Sequence, residues 1–191
     1  MTPEPDPLVD AAPLVPGLVL DLRYATAANP FGRAVYEVAV FALRRSVAAR
    51  LARVARALEA GGRRLVAYDG YRPVSVQRLL WELCPVPGFV APPGRGSNHN
   101  RGAAVDVGLA EASGAPLEMP SDYDDFSERA HHAFEGCSET ARAHRAALKG
   151  AMEAGGFLAN RHEWWHYDAP DAAGFPLEDV PLSQLRNGRT E

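Results

Sequence analysis

Residues 160–168 read NRHEWWHYD, and within them His162-Glu163-Trp164-Trp165-His166 satisfies the pattern H-E-x-x-H. On a helix, that pattern sets two histidines on one face as ligands of a zinc ion, with the glutamate as general base. The surroundings argue for a strand instead. Two adjacent tryptophans, Tyr167 and Phe157 all favour extended backbone. On a strand, His162 and His166 point to the same side but lie about 13 Å apart, at roughly 3.3 Å per residue. Ligands of one zinc ion each lie about 2 Å from it. The strand reading therefore allows at most one of the two histidines on a given metal and makes the full H-E-x-x-H match a coincidence.

If His166 binds a metal, its partners come from elsewhere. The segment Ser97-Asn98-His99-Asn100-Arg101-Gly102-Ala103-Ala104-Val105-Asp106 offers two. Asp106 sits in an otherwise apolar strand. Alternation puts Ala103, Val105, Val107 and Leu109 on one face, expected to be the core, and Asp106 with Ala104 and Gly108 on the other. The small side chains beside Asp106 leave room for something. A carboxylate in such company is costly to bury unpaired, and a metal would remove that cost. His99 precedes the turn at Gly102 and can fold back toward the same point. Singly, a strand aspartate is more often a hydrogen-bonded edge residue, and a loop histidine an exposed one.

The elements that must position these groups follow from periodicity and turn residues. The proline-rich first sixteen residues are expected to form an irregular arm. Residues 18–22 read as a strand. Residues 44–60 read as an amphipathic helix, with Val47, Leu51, Val54 and Leu58 on one face and Gly61-Gly62 as its stop. A strand is expected at 64–68, a helix at 74–84 and a strand at 103–109. A third helix is expected at 138–155, opened by Ser138 as N-cap and closed by Gly155-Gly156. A hairpin-like end follows. Helices and short strands without regular βαβ alternation argue for an α+β fold with a mostly antiparallel sheet flanked by helices. The expected organisation is an arm of residues 1–16 and a single domain over 17–191.

The motifs S-x-H-x-x-G-x-A-x-D at 97–106 and E-x-W-H at 163–166 resemble those of the D-alanyl-D-alanine dipeptidases of the VanX type, zinc enzymes related to D,D-carboxypeptidases. Asp69-Gly70-Tyr71-Arg72-Pro73 is similar to that family's D-G-Y-R-P segment, and Asp21 to Thr26 to its D-x-x-Y-A-T. Residues 119–124 and 128–132 are similar to its M-x-x-x-F-D and E-R-x-x-H. The matches keep the family's order across residues 21–167. The resemblance implies a hedgehog/D,D-peptidase-like fold and one zinc ion on His99, Asp106 and His166, with a fourth position for water. It implies Glu163 as general base and Arg72 as the group facing the oxyanion. It further implies Tyr24, Ser97 and Asp124 as the residues that recognise the two charged ends of a small D,D-dipeptide. Of the neighbouring acids Asp122, Asp124 and Asp125, Asp124 is the expected partner of the ammonium. Since residues three apart on an ideal strand face opposite ways, a bulge or bend near Trp164-Trp165 is needed to bring Glu163 to the metal. Two loops depart from the family pattern. They are the short stretch VPGFVAPPGRG and the turn Asn29-Pro30-Phe31-Gly32, both placed to line the pocket.

Composition narrows the remaining choices. The chain has 191 residues, 47% hydrophobic and 23% charged, with a net charge of −4. That balance offers no basic surface for nucleic acid and no apolar stretch for a membrane. The N-terminus lacks the basic-then-apolar pattern of a signal peptide, and the two cysteines, Cys84 and Cys137, are expected as free thiols. A cytoplasmic location follows from these readings, and a homodimer is allowed. The rival readings are a zinc D,D- or L,D-carboxypeptidase acting on peptidoglycan peptides and a zinc-stabilised binding module without turnover.

Overall fold

The computed structural model describes residues 6–84, 92 and 94–186. Their elements run β1 (Leu8–Asp10), β2 (Val19–Leu20), β3 (Ala42–Arg44), α1 (Arg45–Ala60), β4 (Arg63–Asp69), α2 (Val74–Leu83), β5 (Ala104–Glu111), α3 (Glu139–Ala154), β6 (Leu158–Ala159) and β7 (His166–Asp168). The apolar face of α1 is buried as its spacing requires, with Val47, Leu51, Val54 and Leu58 joined by Ala48, Ala52 and Ala55. Gly61 and Gly62 end the helix, the latter at φ 71°. Helix α3 begins at Ser138, whose hydroxyl accepts from Ala141 N–H, and ends at Gly155. Helix α1 lies against β4 and α3. No helix among the described residues is long and apolar enough to cross a membrane.

A five-stranded sheet has the order β2-β4-β5-β7-β6. The β2–β4 pair is parallel and the others antiparallel, as the α+β reading expects. Strand β5 is central, and its residues Ala104 to Ala110 are all buried. This corrects the expectation of one core face. Tyr68 covers the other face, so closely that a Cβ on Gly108 would meet its hydroxyl at 2.5 Å. The space left by the small residues beside Asp106 is partly filled by that ring.

Two further expectations are corrected. Leu8–Asp10, in the arm expected to be irregular, pairs with Ala42–Arg44 as a separate two-stranded sheet. That pairing joins segments more than thirty residues apart, and no local pattern marks it. His162 to Trp165 form turns rather than strand, and β7 starts only at His166. Asn160 N–H donates to His166 C=O, and Val107 N–H to Trp165 C=O. The irregularity expected near Trp164-Trp165 is therefore a whole reversal of the chain.

Register decides what meets. Asp106 pairs with Asp69 on one side and with His166 on the other, after a shift in β4 between Ala67 and Asp69. Three chemically active side chains thus stand in one row across the sheet.

Candidate active site

His99 rides on a 3-10 turn, Asn98–Arg101, closed by a reciprocal cap. Ser97 Oγ accepts from His99 N–H at 3.3 Å, and Asn100 Oδ1 accepts from Ser97 N–H at 2.8 Å. Gly102 then turns the chain at φ 68°, where a side chain would be strained. Arg72 N–H donates to His99 C=O at 3.0 Å, and the Asn100 amide donates to Arg72 C=O at 2.8 Å. The histidine turn and the arginine segment are thereby locked together.

The three predicted ligands converge. His99 Nε2 lies 3.1 Å from His166 Nδ1 and 3.3 Å from Asp106 Oδ1, and His166 Nδ1 lies 3.0 Å from that same oxygen. Donors about 2.0–2.1 Å from one tetrahedral ion stand about 3.3 Å apart, so the triangle fits a single small cation. Each donor is also fixed from behind. His99 Nδ1 donates to Gly70 C=O at 2.7 Å, His166 Nε2 donates to Asp168 Oδ1 at 3.1 Å, and Tyr123 Oη donates to Asp106 Oδ2 at 3.0 Å. In the neutral rings these bonds put the single N–H on the outer nitrogen and aim the inner lone pair at the centre, the arrangement of a metal-ligating histidine. His166 stands between two carboxylates. Burial opposes its charge, but hydrogen bonds to Asp106 and Asp168 raise its pKa well above the ordinary value. Burial likewise opposes charge on Asp106, yet His99 and His166 hold it well below the usual carboxylate range. Among the described residues, His99, Asp106 and His166 are the group of His, Cys, Asp and Glu that could hold a metal ion.

Glu163 follows the turn and brings Oε2 to 3.7 Å from His166 Nδ1. Burial raises its pKa, with Asp106 adding to the rise and His166, His99 and Arg72 opposing it. His162 does not join them. His162 is exposed, its ring meets His131 edge-on at 4.8 Å and it accepts from Arg161 Nε. A turn, rather than the expected strand, separates the two histidines of H-E-x-x-H.

Arg72 is buried beside this centre. It donates to Asp69 Oδ2 from Nε at 3.1 Å and Nη2 at 2.6 Å, and to Gln77 Oε1 from Nη1 at 3.0 Å. Its guanidinium lies 5.1 Å over the Tyr24 ring. Burial works against the charge, but Asp69, Tyr24, Tyr36 and Tyr123 together outweigh it and raise the pKa further.

Tyr24 and Asp124 line the same cleft. Asp124 is half-buried, and desolvation of its carboxyl pushes it up to about 8. Asp122 instead faces solvent near Arg23, and Asp125 Oδ1 accepts from Ser127 N–H, so only Asp124 of the three acids lines the cleft. That cleft has a volume of about 490 Å³ and is also lined by Ser97, Phe126, Asn160, Trp165 and Asp168. Pro92, Arg95 and Gly96 line it too, from the loop expected there, and residues 85–91 and 93 of that loop lie outside the described residues. The Asn29–Gly32 turn does not line it. Phe31 instead packs behind Tyr24 at 6.3 Å. Trp164 is buried and donates to Ser121 Oγ, while Trp165 forms cleft wall.

Sequence reasoning missed the supporting partners. Asp168, Tyr123 and the Gly70 carbonyl orient the ligands, Asp69 and Gln77 hold Arg72, and Asn160 touches Glu163. Asp168, one polar residue two positions beyond His166, was the signal available.

Residues 5–184 match the D-ala-D-ala dipeptidase family, Peptidase_M15. The chain belongs to this family and is a peptidase. It is 38% identical over 170 residues to a D-alanyl-D-alanine dipeptidase of Escherichia coli (strain K12), covering 89% of this chain and 88% of that one. It is 32% identical over 179 residues to a D-alanyl-D-alanine dipeptidase of Enterococcus faecalis (strain ATCC 700802 / V583), covering 81% and 87%. In fold it is similar to the LdcB LD-carboxypeptidase, with a TM-score of 0.51 and 20% identity over 95% of this chain and 78% of that one.

Proposed function

We propose that this chain hydrolyses the free dipeptide D-alanyl-D-alanine to two D-alanine in the cytoplasm, with one zinc ion held by His99, Asp106 and His166. The observation that carries the reading is the triangle of inward-facing donors, each fixed from behind, with the Glu163 carboxylate beside it. The names of the relatives supply the substrate. A zinc ion bound there would supply Lewis acidity, polarising the scissile carbonyl and drawing the pKa of water toward neutrality.

Glu163 takes a proton from the attacking water and delivers it to the amine nitrogen as the C–N bond breaks. A carboxyl raised by burial suits that two-way traffic better than an exposed one. Arg72 faces the negative charge that develops on the carbonyl oxygen, and its guanidinium stays protonated at any working pH. Asp69 and Gln77 hold the fork, so no reorganisation is needed as that charge grows. Asp124 receives the ammonium end of the dipeptide with Tyr24 beside it. Ser97 donates to the terminal carboxylate, since its oxygen accepts from His99 N–H and its own proton remains to give.

The test is release of D-alanine from D-Ala-D-Ala by zinc-loaded protein, with and without a chelator, beside N-acetyl-D-Ala-D-Ala. Cleavage of the free dipeptide alone, lost on chelation, is the expected result. Cleavage of the blocked peptide would instead make the protein a carboxypeptidase. Zinc bound with no cleavage of either would overturn the D-Ala-D-Ala assignment.

A further inference from the structure

We infer that Asn160 is a positioning residue for Glu163, its side-chain amide fixing the carboxylate that the chemistry uses. The inference rests on the reading of Glu163 as general base. Asn160 makes four hydrogen bonds, all inside the reversal that separates β6 from β7. Its N–H donates to His166 C=O at 3.0 Å, and its C=O accepts from Glu163 N–H at 3.3 Å. Its Oδ1 accepts from His162 N–H at 3.1 Å, and its Nδ2 donates to Glu163 Oε2 at 2.9 Å.

The first three bonds build the turn. The fourth does something the turn does not need. It fixes Oε2, the oxygen that stands 3.7 Å from His166 Nδ1. A glutamate side chain has three rotatable bonds and lies here at the edge of a cleft about 490 Å³ in volume. Without a tether it would sample rotamers that point away from the reacting atoms, and misplacement by about 1 Å can cost about a hundredfold in rate. Asn160 is the side chain that ties this carboxylate directly to the backbone of β7. The base and the ligand His166 are thus set by one residue, and their spacing is fixed together.

The test compares Asn160→Ser and Asn160→Asp with wild type, alone and with Glu163→Asp, reading kcat and KM on D-Ala-D-Ala, bound zinc and the thermal midpoint. Both replacements keep an oxygen to accept His162 N–H; an ionised aspartate has no proton to donate to Glu163, and the serine hydroxyl is one atom shorter than the amide that reaches it. The expected result is kcat lower by about tenfold to a hundredfold, with KM, zinc content and midpoint close to wild type. In the Glu163→Asp background the shortened carboxylate is already beyond the amide's reach, so adding Asn160→Ser should leave kcat nearly unchanged. Unimpaired kcat in Asn160→Ser overturns the inference. So does a loss that tracks zinc or midpoint, or an equal further loss in the Glu163→Asp background. Full kcat in Glu163→Asp itself would instead overturn the base reading, and this inference with it.

Discussion

The hydroxyl of Tyr24 donates to Asp124 Oδ2 at 2.7 Å, joining residues one hundred positions apart. Asp124 meets it from a backbone at φ 57°, the sole positive φ among described residues other than glycine. Aspartate and asparagine tolerate that region better than most side chains. A half-buried carboxylate that lines the cleft from such a backbone fits the proposed role of receiving the ammonium. Asp124→Asn preserves shape and backbone while removing the charge. Its expected effect is a rise in KM for D-Ala-D-Ala, with kcat/KM lower by about ten- to a hundredfold, the worth of a hydrogen bond to a charged group. N-acetyl-D-Ala-D-Ala, which has no ammonium, should gain relative to the free dipeptide. Steady-state kinetics on the two substrates checks this.

Proton release should accompany that binding. Burial raises the Asp124 carboxyl to about 8, with Asp106 and Glu163 adding to the rise and the Tyr24 hydrogen bond and Arg72 opposing it. Below pH 8 the free protein therefore holds a proton on Asp124. An arriving ammonium favours the ionised form, so the proton leaves when substrate binds. The sign is release, largest at pH 6–7 and vanishing as pH rises past 8, where Asp124 is already ionised. Calorimetric titration of Glu163→Gln protein with D-Ala-D-Ala, in two buffers of different ionisation enthalpy, measures it. Asp124→Asn in the same background should abolish it.

Metal removal separates the two histidines of the H-E-x-x-H match. His166→Ala should lose bound zinc, whereas His162→Ala should retain it, since that ring is exposed against His131. A chelator should also lower the thermal midpoint. A ligand present at a hundred times its Kd stabilises by about 2.7 kcal/mol, and each kcal/mol is worth about 2–4 °C in a chain of this size. A fall of about 5–10 °C on chelation of wild type, absent in His166→Ala, is the expected outcome by scanning calorimetry.

How much of this was legible beforehand follows from how local each signal is. Helix α1 could be read because Val47, Leu51, Val54 and Leu58 lie on one face whatever they pack against, and all four are buried. Asp106 could be read because a carboxylate among valine, alanine and glycine needs a partner wherever the strand goes. Strand β1 could not, because its hydrogen bonds are to Ala42–Arg44, and nothing in Leu8–Asp10 names that partner. The turns at 161–165 were hidden by residues that favour extended backbone, overridden by hydrogen bonds to Ala130, β5 and β7. The groups behind the ligands, Gly70 C=O and Tyr123, are set by register and loop closure alone, so no spacing in the sequence announces them.

The buried pair of Asp69 and Arg72 predicts an asymmetry. Asp69→Asn removes the counter-ion from a buried guanidinium that also donates to Gln77 Oε1. Breaking such a pair costs about 3–5 kcal/mol. Arg72→Ala leaves Asp69 with two donors, Tyr36 Oη at 2.5 Å and Gly70 N–H at 2.9 Å, and should destabilise less. The rates should order the other way. Arg72→Ala should lower kcat by about 10²–10³, the cost of removing one oxyanion donor. Arg72→Lys keeps the charge but loses the fork, and should recover only part. Denaturant melts beside kcat for the three variants decide the ordering.

Gly108 connects packing to the centre formed by His99, Asp106 and His166. It lies two residues from Asp106 on the same face of β5, under the ring of Tyr68. A Cβ there would meet Tyr68 Oη at 2.5 Å and Cε2 at 2.9 Å. Tyr68 is buried and stacks on Tyr123 at 5.0 Å, and Tyr123 donates to Asp106 Oδ2 at 3.0 Å. Gly108→Ala therefore pushes on a ring that cannot move without moving the partner of a ligand. Overpacking of this kind costs about 1–3 kcal/mol, and the displaced Tyr123 should weaken zinc binding as well. Adding Tyr68→Phe removes the nearest clashing atom but leaves Cε2 in place. The double variant should thus recover part of the midpoint and part of the zinc affinity, read by thermal melting and competition with a metal indicator. Recovery of the midpoint without recovery of zinc affinity would show that Tyr123 does not transmit the strain to Asp106.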